Sequence, residues 1–212
     1  MFKLDQVTLT HHTQPLFDTL STSFSPKEVV LINGVNGIGK TTLLRAMLGL
    51  HPVFSGMISW KEQSIATIER YKIGTDIGYL HQQPSYQLFG MSVWQECTLF
   101  SSFRNQVIEI DYIEKLLDQL NLLEIKDQHP QLCSRGQQQR LGFALALIQK
   151  PTMILLDEPT TALDDEHVAI MVELIQQHQE FGWVIVSHDP RLQVLNISKT
   201  ITLTKSEQYE TT

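Results

Sequence analysis

The chain has 212 residues, of which 42% are hydrophobic and 18% charged, so its length and composition favour one globular domain and exclude a disordered chain. Its formal net charge of −7 argues against nucleic acid as a partner, because the phosphate backbone attracts basic proteins. Two cysteines, Cys97 and Cys133, are too few for a disulfide framework and favour an intracellular protein.

The sequence carries neither the pattern of a membrane span nor that of a secretion signal. No apolar stretch reaches the roughly 18 residues of a transmembrane helix. The first ten residues lack the positive-then-apolar order of a signal peptide. If such a chain works at a membrane, we expect it to dock on a protein that spans the bilayer.

Segments typical of strands alternate with segments typical of helices, which favours an α/β fold with a parallel sheet. Short apolar runs are typical of strands covered on both faces, and they occupy residues 29–32, 153–156 and 183–186. Apolar and polar residues alternate over 7–9 and 201–203, which predicts half-exposed strands. Helical spacing of apolar residues predicts helices over 41–48, 141–148 and 167–177.

The pattern changes in the middle of the chain. Residues 110–123 have helical periodicity at Ile113, Leu116, Leu117 and Leu120, and no clear strand pattern interrupts this region. We therefore predict a helical insertion over 85–135 within a single domain 1–212, whose α/β core is formed by 1–84 and 136–212.

A glycine-rich segment follows the first apolar run and precedes an apolar helix. It matches the phosphate-loop pattern G-x-x-x-x-G-K-T, with strand, loop and helix in the required order. Converging backbone N–H groups and the helix start attract phosphate, the lysine adds a full charge, and the threonine hydroxyl is a ligand for Mg²⁺. The predicted phosphate-binding residues are Gly34, Val35, Asn36, Gly37, Ile38, Gly39, Lys40, Thr41 and Thr42.

Two acids, Asp157 and Glu158, follow the apolar run 153–156. In an open α/β sheet, ligands lie at the carboxyl ends of the strands. Asp157 is thus placed to hold a Mg²⁺ bound to phosphates, and Glu158 to orient or deprotonate an attacking water. A phosphate loop with an acidic partner is shared by small-molecule kinases, GTPases and helicases, so these two motifs leave the family open.

Further polar groups separate these families by their order along the chain. One glutamine comes two residues after the predicted strand end at Tyr79-Leu80, with Gln83 as a competing register. Other polar groups precede the helix 141–148, follow the two acids, and follow the apolar run 183–186. These residues are Gln82, then Ser134, Gly136 and Gln137, then Asp164 and His188.

Together and in this order, the motifs resemble the nucleotide-binding subunit of an ABC (ATP-binding cassette) transporter, over nearly the whole chain. The resemblance implies the ABC ATPase fold: a P-loop core with a mainly parallel sheet, a small antiparallel β part near the N-terminus and a helical insertion. It implies ATP and Mg²⁺ as ligands, with Glu158 and His188 catalytic and with Thr41, Gln82 and Asp157 at the metal.

The resemblance also implies partners. Members of this family pair head to tail, so that ATP lies between the phosphate loop of one subunit and the signature motif of the other. Ser134, Gly136 and Gln137 correspond to the signature and Asp164 to the loop that follows the acids. We expect a second ATPase subunit, as a homodimer or a heterodimer, and separate transmembrane permease subunits that hold the chain on the inner face of the membrane.

The chain departs from the family pattern in two places. The signature usually reads Leu-Ser-Gly-Gly-Gln, whereas Cys133 and Arg135 stand at its first and third positions here. An aromatic residue usually stacks on adenine upstream of the phosphate loop, where this chain has His11 and His12, either of which could stack instead. Weaker hydrolysis with nucleotide-gated regulation, or a non-transport ABC ATPase, therefore stays an alternative. The motifs do not separate haem-exporter ATPases from those of cobalt and vitamin uptake.

Overall fold

A computed structural model describes residues 1–12, 14–103 and 109–205. Its strands are β1 (Phe2–Thr8), β2 (Thr10–His11), β3 (Gln14–Pro15), β4 (Leu20–Phe24), β5 (Val29–Asn33), β6 (Ser55–Trp60), β7 (Gln63–Ser64), β8 (Ile77–Leu80), β9 (Met153–Asp157), β10 (Gly182–Val186) and β11 (Lys199–Thr202). Its α-helices are α1 (Lys40–Met47), α2 (Arg70–Asp76), α3 (Val93–Phe103), α4 (Ile110–Gln119), α5 (Arg135–Ile148) and α6 (Asp165–Gln177).

The central sheet of the described chain is parallel, in the order β11-β5-β10-β9-β8. All five residues of β9 and of β10 are buried, which is the burial expected for strands with elements on both faces. The prediction of an α/β fold with a parallel sheet is therefore confirmed.

A second sheet is antiparallel, in the order β4-β1-β6-β7, and a short β2-β3 pair lies beside it in the chain. Phe2 on β1 packs against Phe24 on β4 and Trp60 on β6, with ring centroids 5.6 and 4.7 Å apart. This confirms the antiparallel part near the N-terminus. The strand predicted at 7–9 corresponds to β1, which begins earlier, at Phe2, and ends at Thr8.

Two apolar cores lie on the opposite faces of the parallel sheet. Side chains alternate along β9, so that Ile154 and Leu156 join one core and Met153 and Leu155 the other. The first core is packed by α3, α4, α5 and α6, and the second by α1 and the antiparallel sheet. The parallel sheet is thereby packed on both faces. The carboxyl ends of β5, β9 and β10 lie together along one side of this packed sheet.

The described residues between β8 and β9 are helical or irregular. They contain α3, α4, α5 and short 3₁₀ turns at Pro84–Gln87, Leu123–Ile125 and Pro130–Leu132. The prediction of a helix over 110–123 is right in place and too long, since α4 ends at Gln119. No helix in the described part of the chain is long and apolar enough to cross a membrane.

Helix α5 corrects one predicted boundary. It begins at Arg135 instead of residue 141, because Ser134 caps it. The Ser134 hydroxyl accepts the Gln137 N–H, and the Gln137 side chain accepts the Ser134 N–H, which is a capping box. Gly136 and Gln137 therefore belong to the first helical turn instead of preceding the helix.

Candidate functional site

The glycine-rich segment forms a loop between β5 and α1. Gly37 and Gly39 have φ angles of 80° and 106°, in the left-handed region that favours glycine. A Cβ atom on Gly39 would also lie only 3.0 Å from Leu16. These two glycines let the backbone turn into the N-terminus of α1, where unpaired N–H groups point outward.

Lys40, the first residue of α1, is held inside this loop. Its side chain is only 8% exposed, and Nζ donates to the carbonyl oxygens of Gly34 at 2.6 Å and Val35 at 3.2 Å. Nζ also lies 2.8 Å from Nε2 of His188, which follows β10. Burial lowers the pKa of Lys40, while the nearby Glu158 and Asp157 carboxylates act in the opposite direction.

Asp157 ends β9 beside this loop. The residue is fully buried, and neither carboxylate oxygen has a hydrogen-bond partner in the described part of the chain. Burial raises the pKa of Asp157 above its ordinary value. A buried carboxylate without a partner is costly unless a ligand completes it, so this group is a candidate cation ligand.

Glu158 follows Asp157 in a strained turn. Its φ angle is 49°, a left-handed conformation that is uncommon for a residue other than glycine. Its N–H donates to the Val186 carbonyl at 2.8 Å, which continues the β9-β10 pairing by one residue. The half-buried side chain is thereby placed between the ends of the two central strands.

Six of the nine predicted phosphate-loop residues, the two acids and the predicted glutamine share one cavity of about 370 Å³, whereas Gly34, Val35 and Ile38 are outside its lining. Gln82 lines this cavity, whereas Gln83 is absent from its lining. The lining residues are Asn36, Gly37, Gly39, Lys40, Thr41, Thr42, Gln82, Asp157, Glu158 and Val186. The structure thus brings together residues that lie up to 150 positions apart in the chain.

The remaining predicted residues lie outside the lining of this cavity. Ser134, Gly136 and Gln137 form the cap and first turn of α5. A Cβ on Gly136 would lie 2.9 Å from the Ala162 carbonyl oxygen, so this turn contacts the segment after the two acids. Asp164 caps α6, accepting from the His167 N–H at 2.9 Å, and the His167 ring lowers the pKa of Asp164 further.

A second cavity, of about 530 Å³, adjoins the glycine-rich loop. His11, Gln14, Pro15 and Leu16 line it together with loop residues from Val35 to Gly39. His12 is not in this lining, although its ring lies 4.4 Å from that of His11. Of the two histidines left open by the sequence, His11 is therefore the one that lines the cavity beside the glycine-rich loop.

Two polar groups near the site carried no assignment from the sequence. Gln139 on α5 is buried, and its amide donates to the carbonyls of Glu158 and Pro159. Arg191 bonds Asp189 and also Asp165 on α6, which ties the segment after His188 to α6. Gln139 is one of three consecutive glutamines, and nothing in that run distinguishes the buried one.

Comparison with known proteins decides the family. The model of the ABC transporter family matches residues 17–161, which span the phosphate loop, the α5 signature segment and both acids. The chain belongs to the ABC transporter family. The predicted resemblance and the ABC ATPase fold are therefore confirmed.

Two relatives that match most of this ABC protein carry different descriptions. The cytochrome c biogenesis ATP-binding export protein CcmA of Vibrio parahaemolyticus is 30% identical over 186 residues, which are 88% of this chain and 90% of that protein. The solved structure of cbiO1 from Clostridium perfringens, part of the ABC transporter complex cbiONQ, has a TM-score of 0.79 at 25% identity, covering 96% of this chain and 84% of that one.

Other relatives are much longer. One from Methanosarcina mazei is 32% identical over 186 residues, which are 85% of this chain and 31% of that protein. This ABC chain therefore spans about a third of that relative's length.

Proposed function

We propose that the chain binds and hydrolyses ATP in a Mg²⁺-dependent reaction that drives transport through separate membrane subunits. The observation that carries this proposal is the single cavity in which Lys40 faces the unpartnered buried carboxylate of Asp157. A phosphate loop supplies positive charge for a triphosphate, and the carboxylate supplies negative charge for a cation that bridges it.

The residues in the cavity suit Mg²⁺. Oxygen ligands are what this ion prefers, and it is usually bound by one or two protein groups plus phosphates. Asp157 offers two free oxygens, Thr41 a hydroxyl and Gln82 an amide oxygen, all in the same lining. When bound, Mg²⁺ neutralises charge on the phosphates. We assign Thr41, Gln82 and Asp157 to hold it.

The other predicted residues in and beside the cavity divide the work of hydrolysis. Gly34, Val35, Asn36, Gly37, Ile38, Gly39, Lys40, Thr41 and Thr42 bind the phosphates through N–H groups and the Lys40 charge. Glu158, which follows the carboxyl end of β9, orients or deprotonates the attacking water. His188, already within hydrogen-bond distance of Lys40, contacts the terminal phosphate and responds to its release.

A second ATPase subunit completes the site. Because Ser134, Gly136, Gln137 and Asp164 lie outside the cavity lining, the signature of this chain is free to face the nucleotide of a partner. The capped start of α5 offers N–H donors to an anion there. Arg135 stands in this first turn with an exposed side chain and no left-handed φ, so the helix accommodates it without strain.

A turn beside the cavity offers a docking surface for a membrane subunit. Four apolar side chains lie in this segment, namely Tyr86, Leu88, Phe89 and Trp94. Leu88 and Trp94 pack into the core, whereas Tyr86 and Phe89 are 68% and 80% exposed. Exposed apolar side chains of this size mark an interaction surface. We propose that the permease binds here and that the chain is therefore peripheral to the membrane. We also propose that 85–135 moves as a helical subdomain against the core 1–84 and 136–212.

Steady-state ATP hydrolysis by the purified chain tests the proposal, with wild type beside Glu158→Gln and with or without Mg²⁺. We expect Mg²⁺-dependent turnover in the wild type, and we expect Glu158→Gln to retain ATP binding while losing turnover. The amide keeps the size of the side chain and cannot act as a base. Equal turnover in both proteins would show that Glu158 is not the catalytic group.

A further inference from the structure

The amide of Gln139 is built into the turn that carries Glu158. Gln139 lies on α5 and is only 1% exposed, although glutamine is seldom fully buried. Its Nε2 atom donates to the Pro159 carbonyl at 3.0 Å and to the Glu158 carbonyl at 3.3 Å. A buried amide that donates to two carbonyls of one turn fixes that turn relative to the helix that carries the amide.

The turn needs such support. Glu158 has the left-handed φ of 49°, which persists only where surrounding contacts over-determine it. On the sheet side, the Glu158 N–H is bonded to the Val186 carbonyl. Within the turn, the Thr161 N–H bonds the Glu158 carbonyl at 3.2 Å. Gln139 supplies the contact from the helix side, on the same carbonyl.

We infer that Gln139 is a positioning residue for Glu158, an inference that rests on the proposed function of Glu158. The helix that carries it begins at the Ser134 cap, five residues earlier. Gly136, in the first turn, contacts the Ala162 carbonyl of the same segment. The same helix therefore contacts the segment after β9 at two points, through Gly136 at Ala162 and through Gln139 at Glu158 and Pro159.

Gln139→Met tests the inference, because methionine keeps the length and volume of the side chain and removes both donors. We expect kcat for ATP hydrolysis to fall roughly 10- to 100-fold, the loss that a displacement of about 1 Å at a catalytic group causes. KM for ATP should stay within about twofold, because the phosphate loop is untouched. Gln138→Met is the matched control, because the Gln138 amide lies next to Gln139 on α5 and donates instead to the Pro130 carbonyl.

A double variant separates positioning from general damage. In the Glu158→Gln background, Gln139→Met should change the residual rate by less than about twofold, since both act through one group. A further large loss there, or a wild-type kcat for Gln139→Met alone, would overturn the inference. If Gln139→Met does not fold, Gln139→Asn takes its place, because its shorter amide cannot bridge both carbonyls.

A readout without turnover keeps the inference separate from the proposed function. Hydrogen exchange of the peptide covering residues 158–163 should rise in Gln139→Met and stay at the wild-type rate in Gln138→Met. Unchanged exchange in both variants overturns the positioning role whether or not the chain hydrolyses ATP. Absence of ATP turnover in the wild type, with raised exchange in Gln139→Met, instead counts against the proposed function alone.

Discussion

The ammonium of Lys40 and the Nε2 atom of His188 lie 2.8 Å apart, although 148 residues separate them in the chain. The cause is the register of the sheet, in which Val186 at the end of β10 pairs with Ile32 at the end of β5. Since parallel neighbours end at the same edge, the loops that follow them converge. The lysine donates, so the imidazole nitrogen accepts. Under the proposed function, a phosphate would replace these protein acceptors around Nζ.

Replacement of that lysine should remove ATP binding. Lys40→Ala deletes the full positive charge at the phosphates, and we expect ATP affinity to fall by about 100-fold or more, given that charged hydrogen bonds contribute about 1.5–3 kcal/mol each. Lys115→Ala, an exposed lysine of α4, makes the same change of charge outside the cavity. Titration calorimetry measures both. Micromolar affinity retained in Lys40→Ala would contradict the assignment of the site.

Asp157→Asn should raise the stability of the folded chain and remove its binding of the cation. The buried carboxylate has no hydrogen-bond partner in the part of the chain that the structure describes, so its neutral isostere removes the cost of burying a charge there. Without nucleotide we expect a gain of about 1 kcal/mol, which corresponds to roughly 2–4 °C in Tm for a chain of this size. The increase in Tm that ATP causes should then no longer depend on Mg²⁺. Thermal unfolding with ATP, with and without Mg²⁺, checks both expectations, and an unchanged Mg²⁺ effect would exclude Asp157 as a ligand.

Local pattern was enough to predict the central strands and the phosphate loop. The residues 29–32, 153–156 and 183–186 are apolar on both faces, and the structure extends each predicted strand by one residue, to β5, β9 and β10. These segments depend on burial alone, which the sequence displays directly. The start of α5 was predicted wrongly at residue 141, although Ser134-x-x-Gln137 is a capping-box pattern that marks it.

Other features depend on contacts that local pattern does not display. Gln139 is buried because the Glu158 turn lies above α5, and the neighbouring Gln138 is equally polar in sequence. Leu88 and Phe89 are adjacent apolar residues, yet the first is in the core and the second is exposed. In both pairs the distinction arises from tertiary packing, so a single sequence predicts the presence of such residues and not their direction.

Gly136→Ala should disturb the signature segment. A Cβ atom there would lie 2.9 Å from the Ala162 carbonyl oxygen, which is backbone and cannot rotate away. We expect lower ATP turnover with ATP affinity near the wild-type value. Gly74→Ala on α2 is the matched control, because its Cβ would meet no atom within 4 Å and alanine favours a helix over glycine by up to about 1 kcal/mol. Equal turnover in the two variants would argue against the contact.

Asp189 gives the folded chain a pH-dependent contribution to stability. Hydrogen bonds from the Arg191 guanidinium lower the pKa of Asp189 from 3.8 to about 2. A lowered carboxyl pKa stabilises the folded chain above pH 4, and this stabilisation is lost as pH falls through 2. The free energy of unfolding should therefore differ between wild type and Asp189→Asn by up to about 2 kcal/mol at neutral pH and converge near pH 2. A difference independent of pH in urea titrations would contradict this.

The exposed side chains Tyr86 and Phe89 should govern attachment to the membrane subunits. Both belong to the segment that follows Gln82, so a protein bound there contacts the chain next to the proposed Mg²⁺ ligand. Changing both to serine should lower the share of the chain recovered with the membrane fraction of its native cells, while the purified chain keeps its ATP affinity. Phe54→Ser is the control, because Phe54 is 71% exposed and directly precedes β6, a strand of the antiparallel sheet. Membrane recovery that falls equally in the control would reflect general loss of apolar surface, whereas loss confined to Tyr86 and Phe89 locates the docking surface at this turn.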